Sequence, residues 1–128
     1  MRQLNGEALY RQAATLHMQG DLLGAVTLYE KIIPNSSEAR FLIAYARCLQ
    51  ELGRWKKSIP YLKRGVELKP HYCEAAARLL LANAYLQTRQ IQQAVIQWRV
   101  VEKMPPEYPD EAEPAKAAAA YLKLHAKG

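Results

Sequence analysis

The feature that most constrains this chain is a repeat of about 34 residues. Gly20 and Gly53 each follow one amphipathic stretch and precede another, and they stand 33 residues apart. Five residues after each comes a small side chain, Ala25 and Ser58, and four further on a bulky one, Tyr29 and Leu62. Ala94 and Trp98 repeat that small-to-bulky spacing, 36 residues after Ser58 and Leu62. The stretches before the turns match as well. They read Leu9, Gln12, Ala13 and Leu16, then Leu42, Tyr45, Ala46 and Leu49, then Arg78, Leu81, Ala82 and Tyr85. Intervals of three, one and three place each set on one face of a helix. The small member of each set has a physical reason: two helices approach closely only where side chains are short. Ala25, Ser58 and Ala94 take the matching place on the second helix of each pair.

Composition agrees with helices and excludes a sheet. Alanine and leucine dominate, surrounded by glutamine, lysine and arginine, all good helix formers. No stretch alternates apolar and polar residues for long. The pattern predicts helices over 6–19, 22–33, 37–52, 55–68, 73–88 and 91–103, joined by loops short enough for antiparallel neighbours. A seventh helix is expected over about 110–126. Asp110, Glu111 and Glu113 at its start, and Lys123, His125 and Lys127 at its end, complement its dipole. Ala118, Tyr121, Leu122 and His125 supply an apolar side to cover the end of the stack, which a repeat array otherwise leaves exposed.

These spacings resemble the tetratricopeptide repeat (TPR) family, a helix-turn-helix unit of about 34 residues with a proline near its end. Pro70 and Pro106 lie twelve residues after Ser58 and Ala94, where the family places that proline, and the resemblance covers about residues 6–106. It implies an all-α, right-handed α-solenoid of three helix-turn-helix repeats (about 6–36, 37–70 and 73–106) plus a C-terminal capping helix (about 110–126), in one domain. Four departures stand out. Pro34 comes three residues early, and the usual tryptophan is replaced by Leu9, Leu42 and Arg78. Arg89 occupies a turn position that favours glycine, and Pro60 falls inside a helix.

In the family, the first helices of the pairs line a concave groove that binds a peptide segment of another protein. The resemblance puts Glu7, Tyr10, Ala14 and His17, then Arg40, Ile43, Arg47 and Gln50, then Ala76, Leu79, Asn83 and Leu86 on that face. Tyr10, Ile43 and Leu79 hold equivalent places and are expected to form an apolar stripe, with Arg40 and Arg47 beside it and Asn83 available to a peptide backbone amide. The plainer reading of the same residues is core-edge packing. One branch of the family grips a peptide's terminal carboxylates with lysine, asparagine and arginine. Tyr10, Ala14, Ala44, Ala76 and Leu80 stand at those places here, so no acidic chaperone tail is expected to bind. The function expected is a protein–protein interaction adaptor or assembly module.

Charge offers two rival readings. The net charge is +6, from 18 basic and 12 acidic residues. Arg54, Lys56, Lys57, Lys63, Arg64 and Lys69 stand against one acid, Glu67, in a stretch that falls mostly on the fourth predicted helix. A solvated helix face is the ordinary explanation. A basic helical repeat that binds nucleic acid is the first alternative, although Trp55 and Tyr61 fall at packing positions and supply no stacking platform. The second is a self-assembling scaffold, the basic face of one copy meeting the acidic 102–113 stretch of another.

Catalysis, cofactors and metals are not expected. Cys48 falls at a mid-helix packing place, Cys73 near His71 has no evident orienting group, and His17 is isolated. Two cysteines without CxxC spacing make neither a disulfide scaffold nor a zinc site. No phosphate-binding glycine loop or HExxH is present. The N-terminus has no signal-like apolar run, and the longest apolar stretch, 117–122, is too short to span a bilayer, so a cytoplasmic location is expected.

Overall fold

A computed structural model describes residues 6–35, 38–68, 73–104 and 112–126. Lys69, Pro70, His71, Pro106, Asp110, Glu111 and Lys127 lie outside them. The described residues form seven α-helices and no strand: α1 Gly6–Met18, α2 Leu22–Ile32, α3 Ala39–Glu51, α4 Trp55–Glu67, α5 Glu74–Gln87, α6 Ile91–Lys103 and α7 Ala112–His125. α2 runs into a 3-10 turn, Ile33–Asn35, that contains the early Pro34. Proline has no N–H to continue the α-helical ladder, and a short tighter turn accommodates it. Pro60, the sixth residue of α4, is carried within the helix.

The three turns inside the helix pairs are copies of one another. In the first, Gly20 N–H donates to His17 and Asp21 N–H to Leu16, and Gln50, Leu49 and Leu86, Tyr85 accept the corresponding bonds from Gly53, Arg54 and Arg89, Gln90. This double bond pattern closes a helix through one left-handed residue. Gly20 (φ 86°), Gly53 (φ 78°) and Arg89 (φ 64°) are those residues. Only Arg89 adopts the conformation without glycine's freedom. Asp21 then caps α2, its carboxylate accepting from Gly24 N–H at 2.9 Å.

The small residues do what their spacing implies. Ala13, Ala25, Ala46, Ser58, Ala82, Ala94 and Ala118 are all fully buried where helices meet. Successive helices pack on one another along the chain, and α1 also touches α3, α3 touches α5 and α5 touches α7. The odd-numbered helices therefore share the inner, concave side, and the even-numbered ones form the outer layer. The core falls into two clusters. The N-terminal one gathers Tyr29, Ile32, Phe41, Tyr45 and Leu49 around Ala13 and Ala25. The C-terminal one gathers Ile43, Leu62, Leu81, Tyr85, Trp98 and Val101 around Ala46, Ala82 and Ala94. Tyr61 packs against both.

Two polar ties cross between helices. Gln50, nearly buried, donates from Nε2 to Ser58 Oγ (3.2 Å) and to the Leu80 carbonyl (2.9 Å), joining α3, α4 and α5. Arg78, standing where the family has tryptophan, donates to Glu74 Oε2 (2.9 Å) and to Gln97 Oε1 (2.8 Å), joining α5 to α6. No helix among the described residues is long and apolar enough to cross a membrane.

Candidate functional site

The concave side divides into an end that is occupied by its own side chains and an end that is open. At the N-terminal end, Arg40 donates through Nε to Glu38 (2.7 Å) and through Nη1 to Glu7 (3.2 Å), with Nη2 bonded to the second Glu7 oxygen. Its guanidinium lies 5.3 Å from the Tyr10 ring centre and 4.9 Å from that of Phe41. The hydrogen bonds from Arg40 hold the Glu7 carboxyl below its ordinary value of 4.5. Tyr10 is half-buried and packs its ring 5.0 Å from Phe41 and 6.3 Å from Tyr29. His17 is bonded to Glu51 at 2.5 Å, and Ala14 sits half-buried beside them.

The centre of the expected apolar stripe is displaced into the core. Ile43 is only 6% exposed and belongs to the C-terminal cluster. It fills the notch left by Gly65 of α4, where an added Cβ would stand 3.2 Å from Ile43 Cγ1. The continuous stripe Tyr10–Ile43–Leu79 is therefore corrected to two separate apolar ends, and Gln50 is likewise a core tie and no groove residue.

At the C-terminal end, Arg47, Ala76, Leu79, Leu80, Asn83, Trp98, Ala117 and Tyr121 surround an open cavity of about 320 Å³. Arg47, Ala76, Leu79 and Asn83, expected on the groove face from the sequence, line this cavity, whereas Leu86 packs on the core without lining it. Trp98, Ala117 and Tyr121 were not legible. They arrive because α7 stacks Tyr121 on the Trp98 indole at 5.1 Å and His125 at 5.3 Å, turning one side of the capping helix toward the groove. Two groups here lack partners. Arg47 is exposed and makes no hydrogen bond or ion pair among the described residues. The buried Trp98 Nε1 has no acceptor, a condition that costs about 1–3 kcal/mol.

On the outer side, Arg54, Lys56, Lys57, Lys63 and Arg64 are all exposed. Lys57 pairs with Glu30 at 3.6 Å. Lys56 and Lys63 flank a second cavity of about 390 Å³ with Ile59, Pro60, Tyr85, Gln90 and Gln93. The cysteines are poor nucleophiles. Burial pushes the Cys48 thiol up to about 11 and raises that of Cys73, which keeps both protonated near neutrality. No group of three or more His, Cys, Asp or Glu side chains among the described residues is placed to hold a metal ion.

No protein-family model matches the sequence, and no curated protein does either. Solved structures do match. PcrH in complex with the chaperone binding region of PopD superposes with a TM-score of 0.85 at 19% identity, covering 97% of this chain and 95% of that one. The Yersinia enterocolitica type III secretion chaperone SycD, in complex with a peptide of the translocator YopD, gives 0.81 at 18%, covering 92% and 89%. The first TPR of Spaghetti (RPAP3), bound to the HSP90 peptide SRMEEVD, gives 0.71 at 13%, covering 92% and 95%. The fold is that of the TPR-like helical-repeat proteins. Within that fold, the repeat's inner helices α3, α5 and α7 frame the open cavity, and α1 with α3 frame the occupied end.

Proposed function

We propose that this TPR-like repeat is a non-catalytic adaptor that binds a peptide segment of a partner protein in its concave groove, chiefly at the C-terminal end. The observation that carries this reading is the open cavity of about 320 Å³ between α3, α5 and α7. It is at the lower end of ligand-pocket sizes and suits one large side chain better than a cofactor. Leu79, Leu80, Ala76 and Ala117 give it an apolar wall, while Asn83 offers both a donor and an acceptor to an extended backbone. Structures of the same fold with peptides bound support the reading. Tyr10, Ala14, His17 and Arg40 continue the groove as a wall already satisfied by its own contacts. An acidic chaperone tail gripped by its terminal carboxylates is not the occupant, because Tyr10, Ala14, Ala44, Ala76 and Leu80 offer it no lysine, asparagine or arginine side chain at the clamp positions.

Selection of a random ten-residue peptide library on the purified protein tests this. Peptides are expected to enrich on the wild type and to lose at least about tenfold in affinity for Leu79→Glu, a cost of about 1.4 kcal/mol, with the helical circular dichroism unchanged. Equal enrichment on both proteins, or none on either, would sink the reading. Ile43→Glu is unsuitable as a probe, since it buries a charge in the core.

A further inference from the structure

The groove contains two arginines in very different electrostatic states. Arg40 is matched by Glu7 and Glu38 and stacked on two rings, so its charge is already answered. Arg47, seven residues on and on the same helix, has no partner among the described residues and borders the open cavity. Among the described residues that line the cavity it is the one charged side chain, and none of them is a carboxylate. The one arginine of α5, Arg78, is held by Glu74 and Gln97. The cavity is thus an apolar socket with a single unanswered cation on its edge and a neutral amide, Asn83, on its wall.

We propose that Arg47 is a specificity-determining residue that selects partner segments carrying an acidic residue one to three positions from a large apolar anchor. The anchor enters the socket formed by Leu79, Leu80 and Tyr121. The carboxylate then meets the Arg47 guanidinium, whose fork geometry matches it in a bidentate fashion. An extended segment advances about 3.3 Å per residue, so a carboxylate one to three positions from the anchor stays beside the cavity that Arg47 borders. Basic segments are disfavoured by the same charge, which acts as a filter as well as an attraction. This inference rests on the groove reading given above and adds to it the sequence class of the bound segment.

The test is the same ten-residue library selected in parallel on wild type, Arg47→Glu and Leu79→Glu, followed by affinities of the winning wild-type peptide for Arg47→Gln. The wild type is expected to enrich an apolar residue with Asp or Glu nearby. Arg47→Glu is expected to keep the apolar residue and exchange the acid for Lys or Arg. Arg47→Gln should weaken the wild-type peptide about tenfold, with a shallower salt dependence. Apolar enrichment without an acidic neighbour, or the same pattern on Arg47→Glu, overturns this inference while the groove reading stands. Absence of any enrichment overturns both.

Discussion

The two halves of this small solenoid solve the same packing problem in different ways. The N-terminal half is aromatic and self-satisfied. Tyr10, Tyr29, Tyr45 and Tyr61 follow one another at ring separations of 6.3, 6.3 and 4.8 Å, and Tyr45 donates its hydroxyl to Glu30 at 2.9 Å. The C-terminal half is built mainly from alanine and aliphatic side chains with Trp98 and Tyr85 among them, and keeps a cavity, an arginine without a partner among the described residues and an indole N–H without an acceptor. Tyr45 finds an acceptor for its polar tip in Glu30, and Arg40 is answered by Glu7 and Glu38. In the C-terminal half Arg78 is held by Glu74 and Gln97, while Arg47 at the cavity has no partner among the described residues. The difference teaches that binding capacity in a repeat array depends less on which helices face inward than on whether their polar groups are already matched.

That contrast can be broken most forcefully at Trp98. Trp98→Ala removes the ring that holds α7 and floors the cavity, and truncations of this kind cost about 3–5 kcal/mol. Hydrogen exchange should show α6 and α7 losing protection while α1 and α2 keep theirs, because a repeat array couples mainly through neighbours. Uniform loss along the chain would show that the halves do not differ in stability. Next comes Gln50, which ties α3 and α4 to the α5 carbonyl. Gln50→Ala should cost about 1–3 kcal/mol in urea unfolding, and an unchanged midpoint would mean that the bonds from Gln50 contribute nothing net.

The turns give a smaller, signed test. Arg89→Gly should raise stability by about 1 kcal/mol, since a left-handed non-glycine residue is strained, whereas Gly53→Ala should lower it by a similar amount. A loss on Arg89→Gly would contradict the strain argument. The smallest effect belongs to the Glu7–Arg40 pair, which is partly solvated and accordingly weak. The Glu7 pKa is depressed in the folded state, so its contribution is present above the ordinary value of 4.5 and is lost as pH falls through the lower, folded value. Glu7→Gln should therefore melt slightly below the wild type at neutral pH and coincide with it in acid. Equal separation at both pH values would exclude the linkage.

Much of the fold was legible because it depends on local rules. Helix ends fell within a few residues of their predicted positions, and every small residue in phase with the repeat proved buried. The turns were legible for the same reason, Arg89 included, since its position in the period implied a left-handed residue whatever its side chain. The groove was only partly legible. Treating the repeats as equivalent placed Ile43 beside Tyr10 and Leu79, but the missing side chain at Gly65 draws Ile43 inward. Arg40 and Arg47 look alike in sequence. Their difference rests on Glu7, 33 residues before Arg40, and on Glu51, one turn after Arg47, being bonded to His17 instead. The contribution of Trp98 and Tyr121 depends on how α7 is rotated, which a helical period does not specify.

Trp98 has one more consequence. The chain holds two tryptophans, and Trp55 sits at the start of α4, away from the groove. Trp98 is 1% exposed, stacked on Tyr121 and among the side chains that border the cavity. Any molecule that enters there changes the surroundings of a single indole. With Trp55 replaced by phenylalanine, the protein's own ultraviolet emission would report occupancy of the site without an added label.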